Sequence, residues 1–251
     1  MECTTGNELV IRGQGLQELD VCVFKPNITV LNLTQNKLSS LPQDIRNMTQ
    51  LRSLVLSENL FERLPEDVLR LSSLEQLEVK KNKLDDFGSA KSQVSLDRLY
   101  LLDLSVNRIG RVPQAILRLP RLRILHLSYN KLESAEELFA KNILPLLEVL
   151  DLSNNHLSDL PDSVANRHAT LNFLNIENNG IGRLPTLLGF MRLTGLKVDG
   201  NPLKLIKRSV IDKGTVALLE DLRTKHQGPP PVFEAVEKPP PLPRTKNEDK
   251  M

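Results

Sequence analysis

Eight times along its 251 residues the chain returns to one pattern, L-x-x-L-x-L-x-x-N-x-L. The asparagines are Asn36, Asn59, Asn82, Asn107, Asn130, Asn155, Asn179 and Asn201, at intervals of 23, 23, 25, 23, 25, 24 and 22 residues. The first apolar position holds Ile28, Leu51, Leu74, Leu99, Leu122, Leu147, Leu171 and Leu193. The second holds Leu31, Leu54, Leu77, Leu102, Leu125, Leu150, Leu174 and Leu196, and the third Leu33, Leu56, Val79, Leu104, Leu127, Leu152, Ile176 and Val198. A unit this short cannot bury its own apolar side, so the units must stack and share one core.

The spacing predicts each unit's course. L-x-L alternation turns two leucines to one side of a short strand and polar residues to the other. The asparagine stands where the chain leaves the strand, and its amide can bond backbone groups orphaned there. Leu-Pro or Val-Pro follows at Pro42, Pro65, Pro113, Pro161 and Pro185, stiffening the exit and suiting the start of a short helical turn. Two units depart: Asp85, Asp86, Phe87 and Gly88 replace the Leu-Pro after Asn82, and residues 134–141 read as more helical. Both have the 25-residue interval, which predicts longer convex excursions. Leu9, Ile11, Gln14 and Leu16 form a degenerate leading unit within an N-terminal cap, residues 1–27, and residues 28–203 carry the eight repeats. Residues 204–226 read as two short amphipathic helices closing the last core. Residues 227–251 hold seven of sixteen prolines and read as a disordered or polyproline-II tail.

Composition narrows the function. Aromatics are 4% of the chain and tryptophan is absent, so the core is expected to be aliphatic, chiefly leucine. The formal net charge of +2 gives no long-range pull on a polyanion, which argues against nucleic acid. No run of about 18 apolar residues is present, so no membrane span is expected. Cys3 and Cys22 cannot make a disulfide framework, and the polar N-terminus lacks a signal-peptide pattern. Sequons at Asn27, Asn32 and Asn47 are therefore read as chance, and the expected setting is cytoplasmic.

The Asn-x-Leu-x-x-Leu-Pro unit of about 23 residues resembles the intracellular Ras-group leucine-rich-repeat family, and the likeness runs roughly from Leu9 to His226, most of the chain. Gly200-Asn201-Pro202-Leu203, followed by Lys213-Gly214-Thr215 and residues 219–222, is similar to a closing segment in that family. The resemblance implies an α/β solenoid, with short strands forming a curved parallel sheet on the concave side and 3₁₀ or α turns on the convex side. It also implies a non-catalytic cytoplasmic protein. It carries over no binding residue, because the motif specifies scaffold positions only.

No H-E-x-x-H, C-x-x-C, P-loop or G-x-S-x-G is present, and Gly13-Gln14-Gly15 reads as a turn. No catalytic residue, cofactor or metal is expected. One constellation invites chemistry: His126 falls between Asp103 and Asp151 on successive strands, about 4.8 Å from each along the sheet. Such a histidine could be a base or metal ligand, but no nucleophile or oxyanion donor accompanies it. The plainer reading is a solvated row of charges. In the tail, Pro239-Pro240-Pro241-Leu242-Pro243-Arg244 contains P-P-L-P, a WW-type ligand, and P-x-x-x-P-R, an atypical SH3-type ligand. Against that stands an unstructured spacer.

The concave face points to a partner. Its positives are Arg52, Lys80, Lys81, Arg123 and Lys197; its negatives are Glu58, Glu75, Glu78, Asp103, Glu148, Asp151, Glu177 and Asp199. An acidic surface repels phosphate and favours protein. Repeats four to seven place Tyr100, Leu101, Val106, Ile124, Tyr129, Val149 and Phe173 at strand positions expected to be exposed, with Arg123, Asp103, His126 and Asp151 around them. Apolar clusters with aromatic members mark interface hot spots. The leading expectation is a monomeric scaffold or adaptor binding a protein there. A fixed subunit of a cytoskeletal or axonemal assembly is the alternative, and an enzyme the third.

Overall fold

The computed structural model describes residues 3–87, 93–141, 143–167 and 170–231. The proline motif at 239–244 lies outside them. Ten three-residue strands form one sheet in sequence order: β1 (Cys3–Thr5), β2 (Glu8–Val10), β3 (Val30–Asn32), β4 (Ser53–Val55), β5 (Gln76–Glu78), β6 (Leu101–Asp103), β7 (Ile124–His126), β8 (Val149–Asp151), β9 (Phe173–Asn175) and β10 (Gly195–Lys197). β1 and β2 pair antiparallel as a hairpin, and β2 to β10 run parallel.

The register follows the repeat. Leu31, Leu54, Leu77, Leu102, Leu125, Leu150, Leu174 and Leu196 pair in one column, preceded by Leu9. All are buried, with the flanking aliphatic residues of the first and third apolar positions, in one continuous core. That core is not wholly aliphatic, because Phe61, Phe87 and Phe139 are fully buried in it. Phe87 takes the place that Leu41, Leu64 and Val112 hold in other units, so the missing Leu-Pro is filled by a larger ring.

Each proline after the strand starts a convex turn. The carbonyls of Pro42, Pro65, Pro113, Pro161 and Pro185 accept from the N–H groups of Ile45, Val68, Ile116, Val164 and Leu188 at 3.0–3.2 Å. These bonds initiate 3₁₀ helices such as Gln43–Asn47 and Thr186–Phe190. After Asn130 the excursion is a four-residue 3₁₀ helix, Glu136–Phe139. Beyond β10, α1 (Arg208–Ile211) and α2 (Thr215–Thr224) pack back on the last unit, and α2 buries Leu218, Leu219 and Leu222. Gly189 permits that approach: a Cβ there would stand 2.5 Å from Arg223 N and 2.7 Å from Leu219 O.

Candidate protein-binding face

The asparagines are scaffold. Asn107 Nδ2 donates to the carbonyls of Val79 (3.0 Å), Leu104 (3.0 Å) and Ser105 (3.2 Å), and its Oδ1 accepts from Leu84 N–H (3.0 Å). Asn59, Asn130, Asn155 and Asn179 repeat the arrangement. Each amide thus joins its own strand exit to the preceding unit, and none faces a ligand.

The concave side chains fall into rows across the strands. Counted along the eleven-residue motif from its first apolar residue, the third position gives Leu101, Ile124, Val149 and Phe173, paired in register from β6 to β9 and half-buried. Phe173 lies over Gly195 of β10, where a Cβ would strike its ring. The fifth position gives Glu78, Asp103, His126, Asp151 and Asn175. The eighth gives Gln35, Glu58, Lys81, Val106, Tyr129, Asn154, Asn178 and Gly200, every one at positive φ between 53° and 71°.

Two expected members are not on free surface. Tyr100 is only 8% exposed, because its ring reaches back along the sheet and Gln76 Nε2 donates to its hydroxyl. Arg123 is 6% exposed, and its Nη1 pairs with Glu148 at 3.1 Å. Both follow the first buried leucine, where a side chain lies against the neighbouring unit. Of the remaining expected residues, Tyr129 is 58% exposed, and Leu101, Asp103, Val106, Ile124, His126, Val149, Asp151 and Phe173 are intermediate.

The Asp-His-Asp row is in register, but its carboxylates have a structural task. Asp103 Oδ1 accepts from Ser105 N–H (2.8 Å) and Oγ (2.6 Å), and Asp151 Oδ1 accepts from Ser153 N–H (2.9 Å). Asn32 and Asn175 do the same for Thr34 and Glu177, so the sequon at Asn32 is this turn. No hydrogen bond joins His126 to either aspartate among the described residues, and no group there could hold a metal ion. Glu78 has its carboxyl pushed up, first by burial and then by the charge of Asp103. Glu58 is held low by hydrogen bonds from Gln35 and Lys81.

The missed signals are the eighth-position geometry and Gly195. Asn154, Asn178 and Gly200 at one position announce a left-handed residue. A glycine in a strand announces a close approach, here by Phe173.

A leucine-rich-repeat family model matches residues 7–61, and a model of two leucine-rich repeats matches residues 120–166. An LRR protein of Leptospira interrogans is similar with a TM-score of 0.72 and 31% identity, over 88% of this chain and 54% of that one. The LRR ectodomain of the membrane receptor kinase GASSHO1/SCHENGEN3 from Arabidopsis thaliana, solved with CASPARIAN STRIP INTEGRITY FACTOR 2, matches with a TM-score of 0.65 and 28% identity, over 82% of this chain and 25% of that one. A TDR receptor matches with a TM-score of 0.59 and 29% identity, over 73% and 33%. The repeat, the sheet and these likenesses make the chain a leucine-rich-repeat protein. It spans about half the length of the Leptospira protein and a third or less of the other two.

Proposed function

We propose that the protein is a non-catalytic interaction module that docks a partner protein on the concave face of repeats four to seven. The observation supporting this is the unbroken apolar row Leu101, Ile124, Val149 and Phe173, with the exposed Tyr129 beyond the charged row on the same face. Solenoids present extended concave surfaces of this kind to partners. The leucine-rich-repeat ectodomain solved in complex with another factor supports the same use of the fold. A monomeric cytoplasmic scaffold of the Ras group extends the proposal on the Asn-x-Leu-x-x-Leu-Pro spacing. Residues 239–244 would then offer an SH3 or WW domain a second contact.

A photo-crosslinking residue placed at Tyr129 tests the face, with one at convex Glu66 as control. In extract of the cells that make the protein, adducts are expected from Tyr129 and not from Glu66. Adducts from Glu66 alone would move the contact to the convex side.

A further inference from the structure

We propose that the segment received by this face is a basic amphipathic helix of a partner protein, laid across β6 to β9. This rests on the concave-face reading above and adds the partner's chemistry to it.

Three observations converge on that occupant. The first is strain. A left-handed backbone disfavours residues other than glycine and asparagine, and β-branched ones most. In the N-terminal units the eighth-position side chains are tied across units: Arg12 Nε donates to Gln35 Oε1, Gln35 Nε2 to Glu58 Oε2, and Lys81 Nζ to Glu58 Oε1, at 3.0–3.2 Å. In the C-terminal units Asn154, Asn178 and Gly200 tolerate the geometry. Val106 (φ 57°) and Tyr129 (φ 53°) have neither compensation among the described residues. They stand on the same face, across the row of Asp103, His126 and Asp151 from the apolar row.

The second is charge. Arg52, Lys81 and Arg123 are answered by Glu75, Glu58 and Glu148. Asp103, Asp151 and Glu177, on or just after the same four strands, have no lysine or arginine partner among the described residues, and the in-register His126 is bonded to neither aspartate. The partner that fits therefore carries apolar side chains along one line and lysine or arginine beside it.

The third is pitch. Successive apolar side chains stand about 4.8 Å apart along the sheet. An extended peptide returns to one face every 6.6 Å or so, and falls out of step. A helix returns at i+3 and i+4, roughly 4.5 and 6 Å along its axis, which brackets the row. Four strands span about 14 Å, a little under three helical turns.

The test is a display library of random peptides, about sixteen residues long, roughly four and a half turns. It is selected on the immobilised full-length protein. Recovered peptides are expected to be cationic, with apolar residues at i, i+3 or i+4, and i+7. Their affinity should fall about tenfold in the double variant Asp103→Asn, Asp151→Asn, and as much in Phe173→Ala. The asparagines keep the turn bond, as Asn32 and Asn175 do, so the double variant removes charge without unfolding; unchanged circular dichroism checks this. Neutral or acidic peptides, or cationic ones indifferent to the aspartate pair, would overturn the basic-helix proposal. If those same peptides still need Phe173, the concave-face reading stands alone. Peptides indifferent to both variants, or no binders at all, would remove both.

Discussion

Replacing Asn107 by alanine removes one amide that bonds four backbone groups, yet the losses are unequal. The Val79 carbonyl still accepts from Asn82 Nδ2 (3.1 Å), and the Leu104 carbonyl from Asn130 Nδ2 (3.0 Å). Leu84 N–H has Asn107 Oδ1 as its acceptor at 3.0 Å, in buried surroundings, and alanine leaves it with none. An unmatched buried donor costs about 1–3 kcal/mol, and the doubly served carbonyls add little. The total loss should therefore stay near 1–3 kcal/mol rather than scale with four bonds. Asn107→Asp separates the two halves of the amide. It keeps the acceptor for Leu84 but sets a carboxylate oxygen against three carbonyl oxygens at 3.0–3.2 Å. At neutral pH this variant should be less stable than the alanine one, and it should recover as acid protonates the new carboxyl. Urea unfolding followed by far-UV circular dichroism at two pH values measures both. An alanine variant within about 0.5 kcal/mol of the parent, or an aspartate variant no worse than alanine, would refute the donor-limited account.

Val106→Asn should raise stability by about 1 kcal/mol by relieving β-branched left-handed backbone; a melting temperature that falls would contradict this. Glu78→Gln should stabilise the protein at neutral pH. The carboxyl binds its proton more tightly folded than unfolded, so its favourable contribution is present in acid and lost as pH rises through the folded value. The gain should thus vanish in acid, and a pH-independent gain would point to packing instead. Gly189→Ala should loosen α2 at a cost of about 1–3 kcal/mol, because the clash is with backbone of Leu219 and Arg223. Faster tryptic cleavage after Lys213 or Arg223 reads that out; unchanged cleavage would mean the helix shifts without cost.

Much of this architecture was legible because it repeats. Period fixes the buried leucines, the parallel register, the asparagine bonds and the proline-started turns, each recurring too often to be misplaced. Individual side-chain fates were not legible. Tyr100 and Arg123 occupy a position whose exposure depends on what the neighbouring unit offers, here Gln76 and Glu148. Asp103 and Asp151 looked free for chemistry, although serine two residues on and asparagine in the same position of other units hinted at a turn. Phe87 reads as a break in the motif, whereas burial shows it as a substitution within it.

The unequal intervals, 22 to 25 residues, never disturb the one-to-one strand pairing. Length is absorbed outside the strands, so concave residues are addressed by strand number and not by distance along the chain. An insertion or deletion in a convex turn leaves every concave neighbour in place. One residue added inside a strand turns its buried leucine outward. Such a chain can change its length over evolution on one side while rewriting what it recognises, a residue at a time, on the other.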